Sequence, residues 1–454
     1  MKTILRFTVI ALLCGVAASG WAQDVTTPDQ EEPITLDQAL EIAFLNNPNI
    51  RIAADQVRRA RGVVNEADAN FMPRFNAEVV HTRQGPAISF SDPAFGTIDI
   101  VRDHNTLADA SVFLPIDISK KLAFTSDMAK LQFQIDYLGL VSAAQNLIFE
   151  VKGGYFQVLR AIGQQGVAQS AVDVAERRLK DTRARYEAGD VAKFDVTRAE
   201  VEVSNLNQIL IQARTQVRKA ITRFNSILGI DVSTPTRLVE TDIEVEDAQV
   251  DIPDYIEEAY ARRAEVKSAD FAVDLNRKNV RLQRTGIMPS MEAVGVYNYD
   301  LRVSGFSSAN DSWSATVNLK IPIWDGGITK ARVEQAHADV RKSQDTLDQV
   351  KLSVGRQVRI AALNLDEAIE RTQTTAQAVE LADETLRLAT VRYDAGIAIL
   401  VEVTDAESAR NEANFNFVQA EYDYALAIAE LERATATQPE VNKVQILAAG
   451  LMRS

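Results

Sequence analysis

The chain of 454 residues contains only one cysteine, twelve prolines and 7% aromatic residues. Because Cys14 lies in an N-terminal segment that resembles an export signal, the mature part is expected to form neither disulfides nor cysteine metal sites. The three histidines are scattered and give no metal-ligand spacing. Acidic residues outnumber basic ones by 63 to 49, so there is no basic excess to bind a phosphate backbone. Motifs of nucleophile elbows, phosphate loops and zinc proteases are also missing. We therefore expect no enzyme activity, no cofactor, no metal and no nucleic-acid partner.

The first 22 residues have the organisation of a secretory signal peptide. Lys2 and Arg6 give a charged start, residues 7–16 are largely apolar, and Gly20 and Ala22 fit a cleavage site before Gln23. After residue 22 there is no run of about 18 apolar residues, the length that a spanning helix needs. An exported chain of this kind can still enter a membrane as β-strands.

An internal repeat divides the rest of the chain. The pentapeptide Arg185-Tyr186-Glu187-Ala188-Gly189 recurs 207 residues later as Arg392-Tyr393-Asp394-Ala395-Gly396. Upstream, Met72-Pro73 recurs 216 residues later as Met288-Pro289, so the first copy carries a nine-residue insertion. The predicted order is a signal peptide (1–22), a first repeat (23–230), a linker (231–253), a second repeat (254–435) and a C-terminal tail (436–454).

Each copy contains a proline-free stretch with apolar residues at heptad spacing, over 116–234 and 323–438. A period of 3.5 residues predicts coiled-coil helices, and Gly189 and Gly396 are suited to end one helix and reverse the chain. The lengths predict two long helices, each flanked by two shorter ones that stack end to end. The expected bounds are 36–71, 118–188 and 192–228 in the first copy, and 254–287, 326–395 and 399–434 in the second. The linker and tail are expected to form a small mixed collar around the helices.

Between the paired prolines of each copy the apolar period changes to two. Segments 74–80, 110–116, 291–295 and 317–323 alternate in this way, with aromatic residues near their ends. This pattern is the weak signature of membrane strands, whereas residues 82–108 and 300–312 are expected to be external loops. Four strands cannot close a barrel, whose smallest membrane form has about eight. Several copies must therefore contribute, and the pattern does not choose between two copies with eight strands and three with twelve.

The sequence resembles the TolC-like outer-membrane efflux protein family. The resemblance covers about 34–435 and is carried by Leu36-Asp37-Gln38-Ala39-Leu40-Glu41-Ile42-Ala43 with Asn47-Pro48, by Ile321-Pro322-Ile323-Trp324-Asp325-Gly326-Gly327, and by the repeated Arg-Tyr-x-Ala-Gly. It implies a mainly α protein with membrane β structure: a homotrimer with a twelve-strand transmembrane β-barrel and a twelve-helix periplasmic α-barrel. Such proteins are passive exit ducts of tripartite drug-efflux pumps and type I secretion systems. The implied partners are outer-membrane lipid, a periplasmic adaptor and an inner-membrane transporter of the RND or ABC class.

The resemblance also assigns roles to residues at the two glycine turns. Contact with the adaptor is expected at both tips, where the glycines and tyrosines would otherwise serve only as helix caps and packing residues. The tip residues are Arg185, Tyr186, Ala188, Gly189, Arg392, Tyr393, Ala395 and Gly396.

A pore gate and a latch are implied just past the second tip. Glu402 and Asp405 lie on one helical face and match the family's ring of carboxylates, which would favour cations and allow block by multivalent metal. Acids in a first helical turn are also stabilised by the helix dipole alone. Tyr393 and Asp195 match a latch that keeps the duct closed, with simple surface hydrogen bonding as the alternative. Ala398 stands where the family has a second latch arginine.

Two other classes of protein share some of these features. A soluble periplasmic coiled-coil adaptor would explain the signal and the heptads but not the four amphipathic strands. A nonspecific diffusion porin would explain the strands but not the long helices. The sequence names neither the exported substrate nor the partner pump.

Overall fold

The computed structural model describes residues 33–93, 96–101, 103–241, 243, 245, 252–301 and 309–438. The predicted signal peptide and nearly all of the predicted tail lie outside these residues. The elements of the first copy are α1 (Leu36–Asn46), α2 (Pro48–Ala69), β1 (Arg74–Arg83), β2 (Ile88–Asp92), β3 (Gly96–Val101), β4 (His104–Ile116), α3 (Lys121–Ala188) and α4 (Lys193–Leu228). Those of the second copy are α5 (Ile252–Arg262), α6 (Ala264–Arg284), β5 (Ser290–Asp300), β6 (Asp311–Lys320), α7 (Ile328–Asp394) and α8 (Leu400–Thr435).

Two long helical hairpins dominate the molecule. Helices α3 and α7 have 68 and 67 residues, which corresponds to roughly 100 Å each at the rise of an α-helix. Each is followed by a 36-residue helix that packs back along it, α4 on α3 and α8 on α7. The remaining length is covered by α2, which packs on α3, and by α6, which packs on both α3 and α7. The predicted pairing of one long helix with two shorter ones is thus present in both copies.

The short helices predicted over 36–71 and 254–287 are each broken once. The first break is at Asn47, whose extended backbone (ψ 123°) precedes Pro48, because the residue before a proline avoids the helical region. The second break is at Arg263, also extended (ψ 129°) but with no proline after it. At the first break the C-terminal end of α4 packs closely on the backbone of Asn46, since a Cβ built on Gly229 would lie 2.7 Å from the Asn46 carbonyl carbon.

The strands form an antiparallel sheet in the order β1-β4-β5-β6. Its register aligns the apolar positions of all four strands on one face. One row across the sheet consists of Ala77, Ala110, Tyr297 and Trp313. The period-two pattern of the sequence therefore gives one continuous apolar face, and residues such as Asn76, Ser111, Val296 and Ser314 line the opposite face.

The loop predicted over 82–108 is largely strand. Strand β1 extends to Arg83, β4 begins at His104, and β2 and β3 form a separate two-stranded ribbon between them. The insertion in the first copy is thus accommodated as an extra hairpin. Its pairs are few, and the alternation in each strand is too short to be recognised in the sequence.

Two main clusters of buried residues form the core, one in each copy. In the first, α1 and α2 pack on α3 and α4 around Ile148, Tyr155 and Phe224. The hydroxyl of Tyr155 donates to the carbonyl of Val239 (2.6 Å) in the predicted linker. In the second, α5 packs on α7 and α8 around Val358 and Tyr424. Among the described residues, no helix is both long and apolar enough to cross a bilayer.

Candidate functional site at the hairpin tips

The two tips end in the same backbone turn. Gly189 and Gly396 adopt left-handed conformations with φ of 87° and 73°, which glycine reaches without steric cost. In each tip the glycine N–H donates to the tyrosine carbonyl at 3.0 Å, and the next N–H donates to the arginine carbonyl at 2.8 Å and 2.9 Å. These two hydrogen bonds satisfy carbonyls in the last turn of the long helix, and the turn reverses the direction of the chain.

Apolar side chains surround both turns without being covered by the rest of the chain. Ile397 is 73% exposed and Phe194 is 70% exposed. A Cβ added at Gly189 or Gly396 would meet no atom within 4 Å. The tips therefore offer apolar surface and free space, as a docking surface for another protein requires.

The two predicted gate carboxylates lie on the surface of the first turns of α8. Both Glu402 and Asp405 are exposed. The Glu402 carboxylate lies 3.3 Å from the Arg392 guanidinium, whereas Asp405 has no ion pair or hydrogen bond within the described residues. Their position at a helix N-terminus is favourable for negative charge in any case.

The predicted latch residues have other partners in this structure. Asp195 accepts a hydrogen bond from the Ala192 N–H (3.2 Å) and so caps the start of α4. The guanidinium carbon of Arg185 lies 5.0 Å from the centre of the Tyr393 ring, and its Nη2 lies 3.1 Å from Asp394. In the part of the chain that is described, the Tyr393 hydroxyl forms no hydrogen bond, so the structure does not bring Tyr393 and Asp195 together as a latch.

A row of ion pairs that sequence reasoning missed joins the two hairpins. Each cation lies on α3 and each anion on α7 or α8, and we call this row the interhairpin ladder. Its four rungs are Lys152–Glu432 (2.7 Å), Arg160–Asp423 (3.1 Å), Arg178–Glu407 (2.8 Å) and Arg185–Asp394 (3.1 Å). The numbers rise along α3 while they fall along the second hairpin, as antiparallel packing requires. The sequence alone does not indicate these pairs, because they depend on the packing of α3 on α8.

The third rung, Arg178–Glu407, is largely buried and has other charged side chains close to it. Burial raises the pKa of Glu407; Arg178 opposes the rise, Glu202 adds to it, and Arg410 opposes it. One guanidinium nitrogen of Arg178, Nη1, is buried with no hydrogen-bond partner among the described residues. Arg198 and Asp405 line the same small cleft. The charges at this level of the tip are therefore coupled to one another.

The whole-chain comparisons agree with this architecture. The model of the outer membrane efflux protein family matches residues 39–230 and 255–437. The chain belongs to the outer membrane efflux protein family. The match covers most of the chain and both hairpins, so the resemblance found in the sequence is confirmed.

Individual relatives give the same result over nearly the full length. The chain is 26% identical to the outer membrane protein TolC of Vibrio cholerae, over 98% of each chain. It is 21% identical to the pyoverdine export outer membrane protein OpmQ of Pseudomonas aeruginosa, over 82% of this chain and 78% of that protein. Its fold superposes on the CmeC outer membrane channel of Campylobacter jejuni with a TM-score of 0.75 at 14% identity, over 92% of this chain and 89% of that one.

Membership of the outer membrane efflux protein family decides the class of function. The protein is a passive exit channel of the outer membrane with a periplasmic extension, and it is not an enzyme. The alternative of a soluble periplasmic adaptor is not supported. The roles of the individual tip, gate and latch residues are proposals.

Proposed function

We propose that three copies of the chain assemble into one exit duct, with a twelve-stranded barrel in the outer membrane and a twelve-helix tunnel in the periplasm. The proposal rests on the two unpaired edges of the sheet. In the described residues its outer strands β1 and β6 pair on one side only, and every residue of these two strands is exposed. Unpaired backbone groups are too costly to leave in lipid. Joining β1 of one copy to β6 of the next removes all open edges.

The outer helices support the same assembly. Helix α4 carries exposed apolar residues such as Ile211 (64% exposed), and the tip half of α7 carries Leu381. In the tip half of the chain α3 and α8 lie between these two helices, since α3 packs on α4 and α8, and α8 packs on α7. Packing α4 of one copy against α7 of the next would cover both apolar faces.

The duct would serve a tripartite efflux pump or a type I secretion system. OpmQ is by its name an export protein, and the present chain has no nucleotide-binding motif, so the energy would come from partners. We place a periplasmic adaptor on the exposed apolar residues of both tips, and an inner-membrane transporter behind it. Docking of these partners would open the periplasmic end of the duct.

The second tip would form the selective part of the duct. In a trimer, Glu402 and Asp405 would place six carboxylates around the narrow end, where clustered negative charge favours cations. The Tyr393–Asp195 latch would need the Tyr393 hydroxyl to donate to the Asp195 carboxylate, whose Oδ2 accepts from the Ala192 N–H at the start of α4 and whose other oxygen can accept a second hydrogen bond.

A cross-linking experiment tests the assembly at the edge strands. Cysteines replacing Ala77 on β1 and Ala315 on β6 should be joined between copies by a bifunctional thiol reagent, giving bands of up to three chains. The matched control replaces Ala110 on β4 and Ala293 on β5, two strands that pair within one chain, and it should give no product larger than one chain. Equal yields of multimers from both pairs would contradict the proposed strand contact.

A further inference from the structure

A cleft of about 520 Å³ lies between the two helical hairpins, at the level where α1 and α5 pack on the long helices. We call it the interhairpin cleft. Helices α3, α7 and α8 and the last turn of α4 contribute to its lining. The lining includes Phe149, Glu150, Gly153, Gln157, Leu426 and Glu430. Clefts of this volume are the ones that bind small organic molecules.

The cleft opens on the side of the long helices that faces away from α1 and α5. On α3, Tyr155 belongs to the core cluster formed with α1, whereas Gln157 lines the cleft. On α7, Ala362 belongs to the core cluster formed with α5, whereas Asn364 lines the cleft. A step of two residues is a rotation of about 200° around a helix, so the two members of each pair point to opposite sides. Because a second layer of helices inside the tunnel would fill it, α1 and α5 lie outside and the cleft opens into the proposed duct.

Negative charge in the cleft is only partly neutralised by the protein. The four acids that line the cleft are Glu150, Glu367, Asp423 and Glu430. The one cation of the lining, Arg371, pairs with Asp423 and lies 3.7 Å from Glu367. Within the described residues, Glu150 and Glu430 form no ion pair, and Glu430 accepts a hydrogen bond from the neutral amide of Asn364 at 3.2 Å. These two carboxylates are therefore available to a cation.

The apolar part of the lining has open space beside it because of a glycine. Phe149 and Leu426 belong to this part. A Cβ on Gly154 would lie 2.9 Å from the Phe224 ring, so close packing requires that glycine, whereas a Cβ on Gly153 would meet only Leu426, at the ordinary contact distance of 3.7 Å. Glycine within a helix is unfavourable relative to alanine. Packing thus explains Gly154 but not Gly153, whose missing side chain leaves room in the cleft.

We propose that the interhairpin cleft is a transit site in the wall of the duct for organic cations that carry apolar groups. Its apolar lining binds the hydrocarbon part of the solute, and Glu150 and Glu430 attract the positive group, since charges interact more strongly at a partly desolvated site than in bulk water. The proposal rests on the proposed function, because it names a class of exported solute for the same duct. The site lies far from Glu402 and Asp405 at the tip.

Block of single channels in planar lipid bilayers tests this site with tetraphenylphosphonium as the probe. This cation should reduce the potassium chloride current of wild type. Tetraphenylborate has the same shape with a negative charge, and tetramethylammonium has the positive charge without aromatic groups, so neither should block at the same concentration. Equal block by tetramethylammonium would show that charge alone is recognised and would overturn the proposal. A wild-type protein that forms no channel would instead contradict the proposed function.

Variants of the lining locate the block. Glu150→Gln combined with Glu430→Gln should raise the half-blocking concentration severalfold, and Gly153→Leu should do the same by filling the cleft. The matched control is Asp366→Asn, which removes an exposed acid of α7 on the helix face of Ala362 and should leave the block unchanged. If the Gln pair blocks like wild type, the proposal is wrong. It is equally wrong if only the loss of the acids at the tip abolishes the block.

Chemical modification tests both the direction in which the cleft opens and the binding itself. The mature chain has no cysteine of its own, so Gln157→Cys provides a single thiol in the cleft. A bulky cationic methanethiosulfonate reagent should lower the conductance of this variant, and tetraphenylphosphonium should slow the reaction. The control Asp366→Cys should show neither effect. A conductance that does not respond at Gln157→Cys, or a reaction there that tetraphenylphosphonium does not slow, would contradict the proposal.

Discussion

Asn47 and Arg263 occupy equivalent places in the two copies and make the same contact with different side chains. The amide of Asn47 donates to the Ile227 carbonyl at 2.8 Å, and the guanidinium of Arg263 donates to the Ala434 carbonyl at 3.2 Å. Both carbonyls belong to the last turn of the returning helix, where backbone acceptors lack helical partners. Each residue lies at the break between two short helices, α1 and α2 or α5 and α6, and ties this break to the C-terminal end of the returning helix of the same copy.

The two breaks should differ in their contribution to stability. Arg263 also donates to Gln357 and, through two nitrogens, to Glu265 at 3.1 Å and 3.0 Å, and its side chain is only 5% exposed. Arg263→Ala removes the donor to the Ala434 carbonyl and to Gln357 and leaves the Glu265 carboxylate without its cation, with Ser142 still donating to it, so we expect it to lower the free energy of unfolding by about 3 kcal/mol. Asn47→Ala removes one neutral contact to a carbonyl and also the N-cap of α2, where the Asn47 side chain accepts from the Asn49 N–H (2.8 Å), so it should cost about 1–2 kcal/mol. Thermal unfolding followed by circular dichroism in detergent measures both, and equal losses would contradict the stronger role of Arg263.

The pair between Arg263 and Glu265 should also make stability depend on pH. Burial alone would raise the pKa of Glu265, but the hydrogen bonds and positive charge of Arg263 outweigh it and hold the pKa below the usual 4.5. The ionised carboxylate therefore stabilises the fold above the pKa of the unfolded chain, and this contribution is lost as the pH falls through 4.5 towards the lower folded value. Melting temperatures of wild type should drop more over this range than those of Glu265→Gln. Parallel curves for the two proteins would show that Glu265 does not contribute.

Much of this architecture could be predicted from the sequence because it depends on periodicity and on repetition. The heptads, the two glycines and the paired prolines define the long helices and the four sheet strands to within a few residues, apart from the outer end of β4. The break at Arg263 could not be predicted, because no proline marks it and it depends on contacts with α7 and α8. The interhairpin ladder likewise depends on which helices become neighbours in space.

The glycine of the second tip should separate helix capping from surface contact. Gly396→Val forces a β-branched residue into a conformation with φ of 73°, at a cost of about 1–2 kcal/mol, and it adds bulk to an open surface. Gly396→Asn tolerates this backbone better but adds a side chain at the same place. If the tip contacts the adaptor, both variants should lose drug resistance while the protein still reaches the outer membrane in normal amounts. If only Gly396→Val loses drug resistance, the glycine serves as a helix cap and does not contact the adaptor.

The acidic pair after the second tip should control which ions pass. The combined change of Glu402→Ala and Asp405→Ala removes the six carboxylates of a trimer, so the preference for cations should fall and block by multivalent cations should weaken. Reversal potentials in a salt gradient across a planar bilayer report the preference. Glu380→Ala, which removes an exposed acid on α7 well above the tip, serves as the control. If wild type, the double variant and Glu380→Ala show the same ion selectivity, the two acids do not select ions and only stabilise the start of α8.

The edges of the sheet lead to the most direct test of the assembly. We expect native mass spectrometry of the detergent-solubilised mature protein to give a single species of three chains, and the same sample to conduct ions across a planar bilayer. A particle of one chain that passes no ions would show that a four-stranded sheet with two open edges is the complete molecule, and it would contradict the account.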